Sequence, residues 1–332
     1  MSRCHRAACA ALLLAPLVLT AAPIERFEFS EPHMGTLVRL VLYAPDGGVA
    51  ERAANAAFAR VAALDETLSD YRDTSEVMRV SRASGGDPVQ VSDDLFRVLR
   101  VSQSMARATG GAFDVTVGPL SILWRAARRH HELPDDESVT AARARAGFTK
   151  LELDESRRTV RLRVSGMQLD LGGIAKGFAA DEAAVVLSRH DIASALLAAG
   201  GDIVAMDAPP GQPGWTVAIA GGAGVGAGSV ALRRAAVSTS GDAEQFVEIG
   251  GVRYSHIIDP RTGRALTGRS SVTVVAANGV TSDSLATAVS VMGAEKGMRL
   301  VNATEGAAAL LVSGGPRGTH TYESKRWRAF TR

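Results

Sequence analysis

Hydrophobic positions change their period several times along the chain, and each change marks an element. Alternation over Ile24–Ser30 and Thr36–Ala44 predicts two strands, joined by Glu31-Pro32-His33-Met34-Gly35. Helical spacing then takes over: Ala53, Ala56, Ala57, Val61, Leu64 and Leu68 build an alanine-rich helix opened by Gly47-Gly48. A second helix carries Leu95, Val98, Leu99 and Met105, with Ser92 as its N-cap, and stops at Gly110-Gly111. Residues 126–147 are polar and predict a loop with a short Ala/Arg helix.

Lys150–Asp154 and Thr159–Val164 read as a hairpin, because Arg161 and Arg163 fall opposite Val160, Leu162 and Val164. A strand, Leu169–Leu171, then runs into paired glycines and a helix reaching about His190. A strand-rich stretch from Ser194 to Ala277, a helix starting near Ser282 and a last strand, Ala307–Ser313, complete the pattern. Strict β-α-β order is missing and nothing repeats, so the expected class is α+β. The glycine run 221–228 lacks G-x-G-x-x-G spacing and precedes a strand-like run, Val230–Val237, so it predicts a hairpin loop rather than a nucleotide loop.

The N-terminus has another character. Arg3, His5 and Arg6 precede an apolar run from Ala7 to Ala22 that Pro16 interrupts and small residues end. It is shorter than the ~20 apolar residues of a membrane-spanning helix. Residues 1–22 are therefore expected to be a cleaved signal peptide, with an uncleaved anchor as the alternative, and 23–332 one mature domain. At 46% hydrophobic and 22% charged residues the chain is ordinary for a globular protein. Losing Arg3 and Arg6 brings Lys+Arg down from 37 to match 35 Asp+Glu. A neutral chain without basic clusters lacks the electrostatic footprint of a nucleic-acid binder. Both cysteines, Cys4 and Cys9, fall in the leader, so disulfides and thiolate metal sites are excluded, and an oxidising compartment such as the periplasm suits the product.

Four segments set glycines or small residues beside polar groups. Thr109-Gly110-Gly111-Ala112-Phe113-Asp114 puts an aromatic and an acid on a turn leaving a helix, where a plain helix C-cap is an equal reading. In Asp170-Leu171-Gly172-Gly173-Ile174-Ala175-Lys176, free N–H groups, a helix dipole and a lysine charge meet where phosphate can bind. The spacing is not that of a P-loop, and an ordinary strand-to-helix turn is the alternative. Ser238-Thr239-Ser240-Gly241-Asp242 and Tyr254-Ser255-His256-Ile257-Ile258-Asp259-Pro260 form the third; His256 suits proton transfer at neutral pH, or a structural role. In the fourth, Asp283 and Thr287 stand i,i+4 near a helix start, so a carboxylate and a hydroxyl share a face that suits Mg²⁺. A capping acid beside an idle threonine is the plainer reading.

Together and in this order, the segments resemble the FAD:protein FMN transferase family, also called ApbE, from Met34-Gly35-Thr36 almost to the C-terminus. Leu64-Asp65 with Leu68-Ser69-Asp70-Tyr71, Ser75-Glu76-Val77, Leu123-Trp124 and Gly200-Gly201-Asp202 extend the likeness. The resemblance implies two intimately packed lobes with FAD in the cleft between them. It implies that Met34, Tyr71, Ala112, Phe113, Asp114, Asp170, Lys176 and Ile258 line the flavin-nucleotide site. It carries over the Gly173 carbonyl, Asp283 and Thr287 as metal ligands, with Mg²⁺ expected and Mn²⁺ the alternative. His256 matches the family's catalytic histidine, and Asp242 is a second candidate for taking the proton or orienting groups around the metal.

The reaction so implied moves FMN from FAD to a threonine or serine hydroxyl of an exported flavoprotein and releases AMP. Subunits of sodium-pumping NADH:quinone reductase or of the Rnf type are the acceptors it suggests. FAD hydrolysis to FMN and AMP, and FAD binding without turnover, are the competing expectations. Asp242-Ala243-Glu244-Gln245-Phe246 and Ala198-Ala199 depart from the family's wording, which bears on acceptor preference rather than reaction class.

Overall fold

The computed structural model describes residues 24–219, 228–241, 245–315 and 318–331; the expected leader, residues 220–227 with most of the expected hairpin loop, and Asp242 lie outside them. The elements in chain order are β1 (Glu25–His33), β2 (Thr36–Ala44), α1 (Gly47–Leu68), α2 (Glu76–Arg82), β3 (Val89–Gln90), α3 (Asp93–Thr109), α4 (Gly118–His130) and α5 (Asp136–Ala144). Next come β4 (Leu151–Asp154), β5 (Thr159–Leu162), α6 (Ala175–Arg189), β6 (Ala195–Ala199), β7 (Asp202–Ala205), β8 (Trp215–Ile219), β9 (Gly228–Leu232) and β10 (Ala235–Gly241). The chain continues through β11 (Phe246–Ile249), β12 (Val252–Asp259), β13 (Arg264–Thr267), β14 (Ser270–Ala276), α7 (Gly279–Ala303), β15 (Ala308–Gly315) and β16 (Gly318–Glu323).

Eight strands make one sheet in the order β1-β2-β6-β7-β10-β14-β15-β16, and every neighbouring pair is antiparallel. With helices packed on it, this is the expected α+β class. Alternation along β14 divides the core: Val272 and Val274 pack with Leu285 and Val289 of α7, whereas Val275 joins Val217, Val230, Leu232 and Trp327 on the other side. The small β11-β12-β13 and β3-β5-β4 sheets stand apart from the large one.

Small residues let the helices meet. Ala53, Ala54 and Ala57 of α1 share a cluster with Ala180 and Ala183 of α6. α6 and α7 touch backbone to backbone, since a Cβ on Gly177 would lie 2.2 Å from the Gly279 carbonyl oxygen. Asp181 fastens the same crossing by accepting from the Gly279 and Val280 amides at 2.7 and 2.8 Å. This crossing fixes where Lys176 and Asp283 stand relative to each other.

Several boundaries differ from those expected, each for a local reason. β1 runs on through Pro32 to His33, because an edge strand tolerates a missing donor, and the turn shrinks to Met34-Gly35, with φ of 50° and 70°. In the polar stretch 126–147 the expected short Ala/Arg helix is α5, but the stretch also holds the end of α4, where Leu120, Trp124 and Ala127 are buried at helical spacing, hidden in the sequence among arginines. α2 was also not foreseen. No strand leads into Gly172-Gly173, where Gln168 makes only an isolated bridge to Val117. α7 starts at Gly279 on an Asn278 cap, ahead of Ser282. Val230–Val237 is two strands, because Arg233-Arg234 turns between them with φ 47° at Arg234. Ala307–Ser313 corresponds to β15, and β16 follows it. β8 and β9 do pair as a hairpin around the glycine run.

Candidate functional site

A cavity of about 500 Å³ gathers the segments singled out by the sequence. Its volume falls in the ~300–1,000 Å³ range of small-molecule sites. Met34, Tyr71, Ala112, Phe113, Asp114, Asp170, Gly173, Lys176, His256, Ile258 and Thr287 all line it. Asp283 does not; it is buried one helical turn below Thr287. Asp242 lies outside the described residues, although Gln245, three positions on, reaches the lining.

Each wall has a local cause. The Met34 amide, exposed by the left-handed turn, donates to Asp65 Oδ2 at 3.2 Å and so ties the β1–β2 hairpin to α1. Gly110 and Gly111 end α3 with φ of 59° and 80°, sending Ala112 and Phe113 into the cavity. Asp114 is fixed in place: it accepts from the Thr116 amide, the Thr116 hydroxyl and the Phe148 amide at 2.7–2.8 Å. Burial raises its pKa against the pull of those bonds. The Asp170 amide donates to the Val115 carbonyl at 2.8 Å, joining this turn to the glycine turn.

The glycine turn is less open than expected. The Gly172 amide is taken by Asp170 Oδ1 at 2.9 Å, and Lys176 Nζ pairs with Asp202 Oδ2 at 2.6 Å. Lys176 is thus first the counter-ion of Asp202, and a phosphate would share it. Asp283 accepts from the Gly177 amide at 3.1 Å; burial first, then repulsion from Asp202, push its pKa up.

Two groups keep unspent valences facing this space. Nδ1 of His256 lies 3.1 Å from the Gln245 carbonyl oxygen, which leaves Nε2 for other work. Thr287 Oγ1 makes no hydrogen bond among the described residues, whereas Ser284 and Ser290 of the same helix bond back to main-chain carbonyls. A Cβ on Gly173 would come within 2.8 Å of that hydroxyl, so glycine lets the backbone close on Thr287. A main-chain carbonyl, a hydroxyl and a carboxylate with a single described partner form an all-oxygen donor set that fits Mg²⁺. Among the described residues no three His, Cys, Asp or Glu side chains cluster around a metal-sized point.

The family model described as "ApbE family" matches residues 34–311. The chain belongs to the ApbE family. An FAD:protein FMN transferase of Treponema pallidum is 34% identical over 309 residues, covering 88% of this chain and 85% of its relative. One from Vibrio cholerae is 32% identical, covering 96% and 97%. Among solved structures, the flavin transferase ApbE from Vibrio cholerae superposes with a TM-score of 0.82 at 30% identity, covering 93% of this chain and all of that one. The ApbE protein from Thermotoga maritima gives 0.83 at 29%, over 93% of this chain.

This ApbE chain also brings to the cavity residues that its sequence did not announce. Ser121, Arg125 and Arg128 line it from one face of α4. Recognising α4 from Leu120, Trp124 and Ala127 would have revealed that face. Gln245, which orients His256 through a main-chain carbonyl, carried no side-chain signal at all.

Proposed function

We propose that this ApbE protein is an FAD:protein FMN transferase, joining the FMN half of FAD to a threonine or serine hydroxyl of an acceptor flavoprotein. The observation that carries the reading is His256, oriented by the Gln245 carbonyl and facing the same cavity as the Thr287 hydroxyl, in a chain of this family. FAD would lie in the cleft, with the large sheet, α1, α6 and α7 forming one lobe and α2–α5 with the small sheets the other.

The acceptor hydroxyl attacks the FMN-side phosphorus, the bond from that phosphorus to the bridging oxygen breaks, and AMP leaves with that oxygen. His256 Nε2 takes the hydroxyl proton. The Lys176–Asp202 pair and the turn at Gly172-Gly173 fix the pyrophosphate's surroundings. Gly173, Asp283 and Thr287 would hold Mg²⁺, which when bound supplies positive charge at the pyrophosphate oxygens. Export to the periplasm rests on residues 1–22 and is part of the proposal, as are acceptors of the NADH:quinone reductase or Rnf type.

The test is to incubate the mature protein with FAD, Mg²⁺ and a candidate acceptor domain and record intact masses. Acceptor gaining FMN, with AMP released, supports the transferase. Free FMN and AMP beside unmodified acceptor would instead indicate a pyrophosphatase, and intact FAD a binding protein.

A further inference from the structure

Arg125 joins three segments distant in sequence. It projects from α4; its Nη1 donates to Asp70 Oδ2 at 2.6 Å, after α1, and its Nη2 to Asp170 Oδ2 at 3.0 Å, before α6. Its guanidinium carbon also stands 4.3 Å from the centroid of the Tyr71 ring. All four residues line the cavity.

We propose that Arg125 is a positioning residue for nucleotide binding, holding the Tyr71 ring as a platform for a planar heterocycle and pairing with two carboxylates whose charge would otherwise repel a pyrophosphate more strongly. The proposal rests on the FAD reading above. The Arg125, Asp70 and Asp170 side chains are only 20%, 8% and 11% exposed, so the pairing is shielded, unlike a surface ion pair. Tyr71 is 76% exposed, with the guanidinium over one face of its ring, so a ligand can reach the ring from solvent. Through Asp170, whose other oxygen holds the Gly172 amide, the clamp also reaches the glycine turn. A planar guanidinium can fork to two carboxylates and offer its face to a ring; a lysine ammonium cannot.

The experiment measures FAD dissociation constants by quenching of flavin fluorescence. Arg125→Met is expected to weaken FAD binding roughly 30-fold, as when one partner of a buried charge pair is truncated. Adding Asp70→Asn to that variant should recover the part of the loss that comes from the uncovered Asp70 charge, and Arg125→Lys alone should fall between. Unchanged binding in Arg125→Met overturns the proposal. So does a loss that Asp70→Asn leaves wholly unrecovered, which is how a merely structural arginine would behave. Where Arg125→Met does not fold, Arg125→Lys with and without Asp70→Asn makes the same comparison. No FAD binding by the unmodified chain overturns the FAD reading itself and this proposal with it.

Discussion

Nδ1 of His256 lies 3.1 Å from the carbonyl oxygen of Gln245, and a carbonyl can only accept. The proton therefore sits on Nδ1 and the lone pair on Nε2. Burial, followed by the charges of Arg128 and Lys176, lowers the pKa below the ordinary 6.5, against the opposing bond to Gln245. A group whose pKa is lowered is already a competent base at neutral pH.

Transfer activity is accordingly expected to rise with pH along an acid limb centred below 6.5 and to be flat through pH 7. His256→Gln should remove that limb and slow turnover by about 10²–10⁴-fold. Initial rates across pH for both proteins check this; an acid limb that persists in the variant would assign the proton to another group.

Thr287→Val keeps the shape of the side chain and deletes the unspent hydroxyl. The Mg²⁺ concentration for half-maximal transfer is expected to rise about tenfold or more, with the melting temperature little changed. Ser290→Ala, which removes a hydroxyl already bonded to the Ala286 carbonyl, is the matched control on the same helix. Equal Mg²⁺ dependence in the two variants would release Thr287 from the metal.

Asp181 presents its two carboxylate oxygens to the first amides of α7. Asp181→Ala leaves both donors without that partner and should cost about 2 kcal/mol in denaturant unfolding. Burial lifts the Asp181 pKa to about 6 from 3.8, so the native state holds a proton that the unfolded chain has released. Its contribution thus falls as pH rises across that window, and the alanine variant should lose this downward slope.

The sequence disclosed the site better than its supports. Ala112-Phe113-Asp114, Asp170, Lys176 and Thr287 sit in contiguous motifs, and a motif survives wherever the fold carries it. Arg125 has no such context: its meaning comes from Asp70 and Asp170, which are brought to it only by folding. The same blindness hid α4, whose last residues fall in the polar stretch from 126 and whose Arg125 and Arg128 turn into a cavity rather than to bulk water. Asp114 shows both sides. It lines the cavity as its motif suggests, and its three bonds from main-chain and hydroxyl donors, which hold the turn in place, were not legible in that motif.

Gly177 gives the most exacting test of how the helices carry the site. Its φ is not left-handed, so alanine would be at ease in the helix itself and even favoured there. The obstacle is the neighbour: a Cβ would lie 2.2 Å from the Gly279 carbonyl oxygen and 2.9 Å from the Asp283 Cβ. Backbone cannot swing aside as a flexible side chain can, so α6 and α7 must separate. Gly177→Ala should therefore destabilise the protein by about 3 kcal/mol, at the upper end of overpacking costs. It should also raise the Mg²⁺ concentration needed for half-maximal transfer, because Asp283 moves with α7 while Gly173 stays ahead of α6. Gly110→Ala is the comparison, since it meets nothing within 4 Å and pays only for its φ of 59°, about 1 kcal/mol. Unfolding curves and Mg²⁺ titrations of the two variants decide it: equal losses of stability, or an unaltered Mg²⁺ response in Gly177→Ala, would show that the crossing does not set the site.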